Sequence, residues 1–387
     1  MDNQTLQTLA QRGFAALQGE DFAQAHALFG QIVAAGAATP PIWYLHADAA
    51  FHLGQLDAAD AALAPALAAD PSNIPAIVLK ADIFSTRGED RKAIAWYQRA
   101  IDLADRSQGL SPTLLSRVAH AQDRRRTLVQ RFETHLLDTV AQAGIVPETL
   151  DPRFAESLAI LTGRQQPFYQ EPKVFNYPGL PQIAFYDTAL FDWVDALEAA
   201  YPALRAEALT ALASGEGASP YVQVESDLPD RTHALTNNRS WSAYRFWENG
   251  QFFEENAARC PQTAHAISQL PLPFIRARSP MALFSILEPH THIPPHNGML
   301  NTRLICHLPL IVPDKCRLRV GNHTRTVEEG KVLIFDDSVE HEAWNDSDEV
   351  RVILLFEIWR PELSTDEVKA LTALYEAVNL YPQSESA

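Results

Sequence analysis

Residues of matching size recur along the first third of this chain with a fixed step of 34 positions. Ala25, Ala59 and Ala93 form one series, Phe29, Leu63 and Tyr97 a second, and Ile32, Ala66 and Ala100 a third. A step of this length accommodates two helices and their turns, and such a unit buries its apolar face only by stacking on the next one. Gly19, Gly54 and Gly88 stand at the turn before each second helix, the first of them one residue out of step. Asp70-Pro71 closes the second unit, where proline stops a helix. The stack leaves a concave groove, which either takes up a peptide or serves as a prop for a neighbouring domain.

The period, with small residues at the points of close packing, resembles the tetratricopeptide repeat. Three such repeats are expected over residues 1–106, and the resemblance implies a groove that recruits a peptide or protein. A helical cap or connector follows over 107–164, with Leu114, Leu115, Val118, Leu128, Phe132 and Leu136 at helical spacing. Arg124-Arg125-Arg126 lies inside it and reads as a solvated helix face.

Charge narrows the partners. With 31 Lys+Arg against 48 Asp+Glu, the formal net charge of −17 repels phosphate backbones and anionic lipid, which argues against nucleic acid and membrane as partners. Cys260, Cys306 and Cys316 are an odd count spaced too widely for a metal-binding pair, and they suggest a reducing compartment. The N-terminus lacks a basic-then-apolar leader, so the expected location is cytoplasmic.

The texture changes near Gln165, where prolines and aromatics give way to one helix over about 188–213 and then, from about 240, to short apolar runs. MALFSIL, TRLICHLPLIV, CRLRVG, KVLIF and VRVILLFEIW, separated by turn residues, predict an antiparallel sandwich or barrel. Ser364 with Glu367 three positions on forms a capping box for a final helix. The fold class is therefore multidomain α + β: an all-α helical repeat, then an antiparallel sandwich or barrel with a C-terminal helix over 165–387.

Six of the 13 histidines fall between positions 290 and 341, among these strands. Imidazole is the usual ligand of a catalytic first-row metal in a barrel mouth. Two constellations compete. His290, His292 and His296 with His341 would make a three- or four-histidine cupin-like site. Alternatively, His296 and His341 would hold Fe(II) from facing strands, while Arg351 binds the distal carboxylate of 2-oxoglutarate. The usual facial triad needs Asp or Glu two residues after the first ligand, and Gly298 stands there.

The stretches FSILEPHTHIPPHNGMLNTRLICHLPLIVP and VEEGKVLIFDDSVEHEAWNDSDEVRVILLFEIWRPEL resemble the aspartyl/asparaginyl β-hydroxylase family, and more weakly so does WSAYRFWENGQFFEENAARCPQTA upstream. That family holds its iron with two histidines and has glycine in the third place, so Gly298 matches it. The resemblance implies that the barrel is a double-stranded β-helix (jelly-roll, cupin-like), and it implies Fe(II), with 2-oxoglutarate and O2 as co-substrates. It makes His296 and His341 the iron ligands and catalytic centre, and assigns Arg351, His307 and Ser285 to 2-oxoglutarate. It places Trp241 in a substrate-side loop, and Asn301 and Arg303 either on the substrate side or as supports of the site. The implied activity is 2-oxoglutarate-dependent dioxygenation, hydroxylating Cβ of Asp or Asn in a peptide or protein. One departure is Ile305, where some members carry an arginine that meets the acidic substrate side chain. The rival readings are the same chemistry on a small amino-acid derivative or lipid headgroup, and a repeat-based binding protein whose barrel is not catalytic. His290 and His292 read as loop or supporting residues, and Asp336 and Asp337 as shaping the turn before His341 through side-chain hydrogen bonds.

Overall fold

The computed structural model describes residues 1–146, 151–223 and 234–380, which form two compact units, Met1–Gln165 and Gln166–Ala387. The first unit is entirely helical: α1 (Asn3–Gln18), α2 (Phe22–Ala34), α3 (Pro40–His52), α4 (Leu56–Ala69), α5 (Ile74–Thr86), α6 (Asp90–Asp105), the long α7 (Pro112–Gln142) and α8 (Pro152–Leu161). Helix starts are fixed locally. The side chains of Asp2, Asp21, Asn73 and Ser111 each accept a hydrogen bond from a backbone N–H of the first turn that no helical carbonyl can reach.

All nine members of the three repeat series are buried, none more than 2% exposed, so the 34-residue step is the packing period of the stack. The one-residue offset at Gly19 also has a physical origin. Gly54 and Gly88 end the first helix of their repeats with φ of +74° and +75°, and the corresponding place in the first repeat is Glu20, with φ of +59°. A side-chain-bearing residue there is held in a backbone region that costs about 1–2 kcal/mol.

The second unit is a two-sheet sandwich. Its strands are β1 (Ala218–Pro220), β2 (Trp241–Glu248), β3 (Gln251–Phe252), β4 (Ala282–Leu287), β5 (Thr291–His296), β6 (Arg303–Ile311), β7 (Cys316–Val320), β8 (His323–Thr326), β9 (Leu333–Phe335), β10 (His341–Asn345) and β11 (Arg351–Trp359). The large sheet runs β1-β2-β4-β11-β6-β9 with β3 beside β2, and the small one β5-β10-β7-β8. Every pairing is antiparallel, and the arrangement is that of a jelly-roll-like domain.

Alternation sorts the side chains. Leu283, Ile305, Ile353 and Leu355 of the large sheet meet Ile293, Leu318, Val320 and Ala343 of the small one in the core between the sheets. The opposite face of the large sheet, with Phe284, Leu308, Leu354 and Phe356, packs against α9 (Val194–Ser214). Both faces of β11 are therefore covered, which is why VRVILLFEIW reads as one apolar run. The helix expected from about 188 begins at Val194. Asp187 caps a separate single turn at Thr188–Leu190, and Phe191 then extends to set its ring against Tyr186 and Trp193. Two short helices, α10 (Glu254–Arg259) and α11 (Pro261–Ser268), follow β3, and α12 (Thr365–Leu380) ends the described chain. Ser364 and Glu367 exchange the reciprocal bonds of a capping box at its start. Among the described residues, no helix is long and apolar enough to cross a membrane.

One buried ion pair ties distant segments together. Asp336 and Arg360 have fully buried side chains and pair at 2.8 Å. Asp336 also accepts from the Gln170 amide and from both the N–H and hydroxyl of Ser338. Arg360 donates further to the carbonyls of Asn301 and Pro181 and to the Tyr186 hydroxyl. Removing the carboxylate strands a buried guanidinium. Asp336→Ala should therefore destabilise the second unit by about 3–5 kcal/mol, read as a lowered denaturation midpoint; an unchanged midpoint would show the pair to be dispensable. Glu20→Gly should act the other way, stabilising the first unit by up to about 1 kcal/mol, whereas a loss of stability would mean that the Glu20 side chain holds something of its own.

Candidate active site

His296 is the last residue of β5 and His341 the first of β10, and the register pairs them directly across the ladder. Their ring centroids lie 4.1 Å apart. Each Nδ1 faces a backbone carbonyl two residues earlier, that of Pro294 at 2.8 Å and that of Val339 at 3.1 Å. A carbonyl can only accept, so each Nδ1 carries the proton and each Nε2 the lone pair that a metal uses. Burial, and then the neighbouring His296, pushes His341 well below the ordinary histidine range, which keeps the ring neutral and its Nε2 lone pair unprotonated.

Trp241 opens β2 rather than lying in a loop. Its indole N–H donates to the Ser285 hydroxyl at 3.1 Å, and its ring stacks on Tyr221 at 4.0 Å and stands 6.4 Å from the His296 ring. Ser285 sits on β4, where its neighbour across the ladder on β11 is Ile353. Arg351 begins β11, is 2% exposed, and has neither a hydrogen bond nor an ion pair among the described residues; its Nε is fully enclosed. His307, on β6, likewise has a buried Nδ1 with no partner. Burial, and secondarily Arg351, pulls His307 down to about 3, so its imidazole stays neutral. Burial also lowers Arg351 to about 10, which still leaves it a cation at neutral pH. Phe335 closes the space between them, with its ring 4.9 Å from His307 and 5.6 Å from His341.

The remaining candidates separate cleanly. Asn301 is buried in a network that accepts from the Tyr177 N–H and donates to Gln170 and Asn176, pinning the segment ahead of the barrel. Arg303 forms an ion pair with the buried Glu357 and donates to Ser279. Of their two possible roles, support is the one these contacts fill. His290 and His292 point elsewhere: His290 is exposed and meets Asp348, and His292 meets Glu342 and stacks on Trp344. Among the described residues, no group of three or more His, Cys, Asp or Glu is placed to hold a metal.

Asp336 shapes the turn before His341, but Asp337 does something the sequence did not announce. Its carbonyl accepts from the Gly298 N–H at 2.6 Å, and its half-buried carboxyl fills the space where a side chain at 298 would begin. Burial, and then Asp336, raises that carboxyl to about 8. Phe335 and Tyr221 were also not singled out beforehand. Alternation within KVLIF put Phe335 on the inner face, but no local pattern marks Tyr221.

Residues 198–361 match the family model described as aspartyl/asparaginyl beta-hydroxylase, and residues 40–73 match a tetratricopeptide repeat. Human aspartyl/asparaginyl beta-hydroxylase is 34% identical over 205 residues, which cover 52% of this chain and 26% of that one. An ornithine lipid ester-linked acyl 2-hydroxylase of Rhizobium tropici is 36% identical over 189 residues, covering 48% and 64%. Mouse aspartate beta-hydroxylase domain-containing protein 2 is 30% identical over 216 residues, covering 54% and 60%. The chain thus spans between about a quarter and two thirds of the length of these relatives.

The residues of the second unit fit a divalent metal and an anionic co-substrate. Two imidazoles are fixed in the ligating tautomer, and beyond them lies a buried guanidinium without a counter-charge. Gly298→Ala should push Asp337 aside and weaken Co(II) binding, followed by its absorption spectrum, about tenfold or more. Gly298→Ala with Asp337→Ala should recover most of it; no recovery would place the damage elsewhere than in this contact.

Proposed function

We propose that the second unit is an Fe(II)/2-oxoglutarate-dependent dioxygenase with His296 and His341 as its metal ligands. The observation that carries this reading is Arg351. A guanidinium taken out of water with no internal anion costs several kcal/mol, and a carboxylate arriving from outside offsets that cost through two parallel hydrogen bonds. The distal carboxylate of 2-oxoglutarate has the right charge and shape. With O2, bound Fe(II) and 2-oxoglutarate supply an oxidant for a substrate C–H, and 2-oxoglutarate leaves as succinate and CO2.

The protein's own groups bind, orient and exclude. The Ser285 oxygen accepts from the Trp241 indole, so its proton is free to be donated to a carboxylate oxygen. Neutral His307 adds a donor without adding charge. Phe335, touching both His307 and His341, keeps water out of the space between co-substrate and metal.

The substrate reading is hydroxylation at Cβ of an Asp or Asn side chain. Ile305 lies in the apolar core in register with Glu357, and the nearby Arg303 is already neutralised by that same Glu357. The same apolar setting supports a second reading, a carbon of an aliphatic or acyl group, and one relative is named for such an activity. The repeats in the first unit would recruit a protein substrate.

Succinate formation should require both histidines: His296→Ala and His341→Ala should each abolish it in folded protein. Arg351→Met should lower it at least about a hundredfold at low 2-oxoglutarate. Full activity in either histidine variant would sink the ligand assignment. Stimulation by the high-mass fraction of a host lysate supports a protein substrate, and stimulation by the low-mass or lipid fraction supports the second reading.

A further inference from the structure

The concave side of the helical stack holds a cavity of about 370 Å³. Asp48 on α3 and Asp82 on α5 lie on its lining, one repeat step apart, and their side chains are each only 12% exposed. Their situations differ. Asp82 is satisfied, accepting from the Tyr97 hydroxyl and meeting His120 at 2.8 Å. Asp48 has no hydrogen bond: its nearest cations are Arg117 at 3.8 Å and His52 at 4.0 Å, beyond donor–acceptor range. Burial raises the Asp48 carboxyl above its ordinary range, as expected of an anion short of donors.

The other walls restrict what fills the space. Phe51 and Leu79 supply apolar surface beside the acids. Arg124 from α7 spends one N–H on the Ser85 hydroxyl and makes no ion pair among the described residues. It is thus the one member of the arginine run that enters the cavity, since Arg125 turns to the Gly163 carbonyl and Arg126 to Asp123. A buried carboxylate with apolar walls and a hydrogen-bond donor on the lining matches a long, thin side chain ending in a cation and leaving a backbone carbonyl behind it.

We infer that this cavity seats a lysine or arginine side chain of a bound polypeptide, its charged head on Asp48, its stem between Phe51 and Leu79, and a neighbouring backbone carbonyl on Arg124. Arg117 is then the internal competitor for Asp48, which the incoming cation displaces. The site gives the groove its ligand class. It rests on the recruiting role proposed above only for its part in catalysis, since the binding itself is independent of what the barrel does.

The test is fluorescence anisotropy of the full chain with labelled alternating alanine–lysine and alanine–glutamate peptides at about 0.15 M salt, where long-range attraction is screened. The lysine peptide should bind and the glutamate peptide should not. Asp48→Asn should weaken the lysine peptide about tenfold or more, while Asp102→Asn, an exposed acid on α6, should leave it unchanged. Arg117→Gln should strengthen binding by removing the competitor, an effect opposite in sign to anything misfolding produces. Equal binding of both peptides, retained affinity in Asp48→Asn, equal weakening in Asp102→Asn, or no gain in Arg117→Gln overturns the assignment. The readout is binding, so it succeeds or fails whatever succinate assays show of the barrel.

Discussion

A carboxylate with no access to water organises the second unit. Asp336 spends one oxygen on Ser338, fixing the turn that delivers His341, and the other on Arg360 and Gln170. Arg360 in turn grips the carbonyl of Asn301, just beyond the loop that follows His296. Both histidine-bearing strands are thus referred to one charge pair. A buried pair of this kind need not add net stability over an apolar substitute. Its value here is positional, because each donor and acceptor around it has only one place to be.

Against that scaffold, the site combines groups that are satisfied with groups that are not. The histidine Nδ1 atoms, Ser285, Asn301 and Arg303 all have partners, so their geometry is set in advance. Arg351 and the His307 Nδ1 do not. Native interiors rarely leave polar atoms so, and where they do, the missing partner is a reasonable description of the ligand.

How much of this was legible in the residues depended on the range of the interaction. The helical stack could be read because its packing repeats: a step of 34 is a local rule written three times, and nine positions obey it. The strands could be read from alternation and turn residues, and the capping box at Ser364 from four consecutive positions. The start of α9 was misplaced because Phe191 breaks the helix to pack on Tyr186 and Trp193, contacts no periodicity expresses. In the site, Asp337 looked like its neighbour Asp336, yet one lies in an ion pair and the other against Gly298, and only the fold separates them. Trp241 was taken for a loop residue because its strand partner, Leu287, lies 46 positions away. The lining of the groove was illegible for the same reason: Asp48 and Asp82 occupy equivalent repeat positions but differ in what reaches them from elsewhere.

The fit of the Asp337 carboxyl into the space beside Gly298 also bears on descent. Sites with a third protein ligand place a carboxylate two residues after the first histidine. From this sequence that state is entered from Gly298 only if the Asp337 carboxyl moves out of the volume it fills. Two positions 39 apart in the chain are therefore coupled through one shared volume, so a change at either one is felt first at the other.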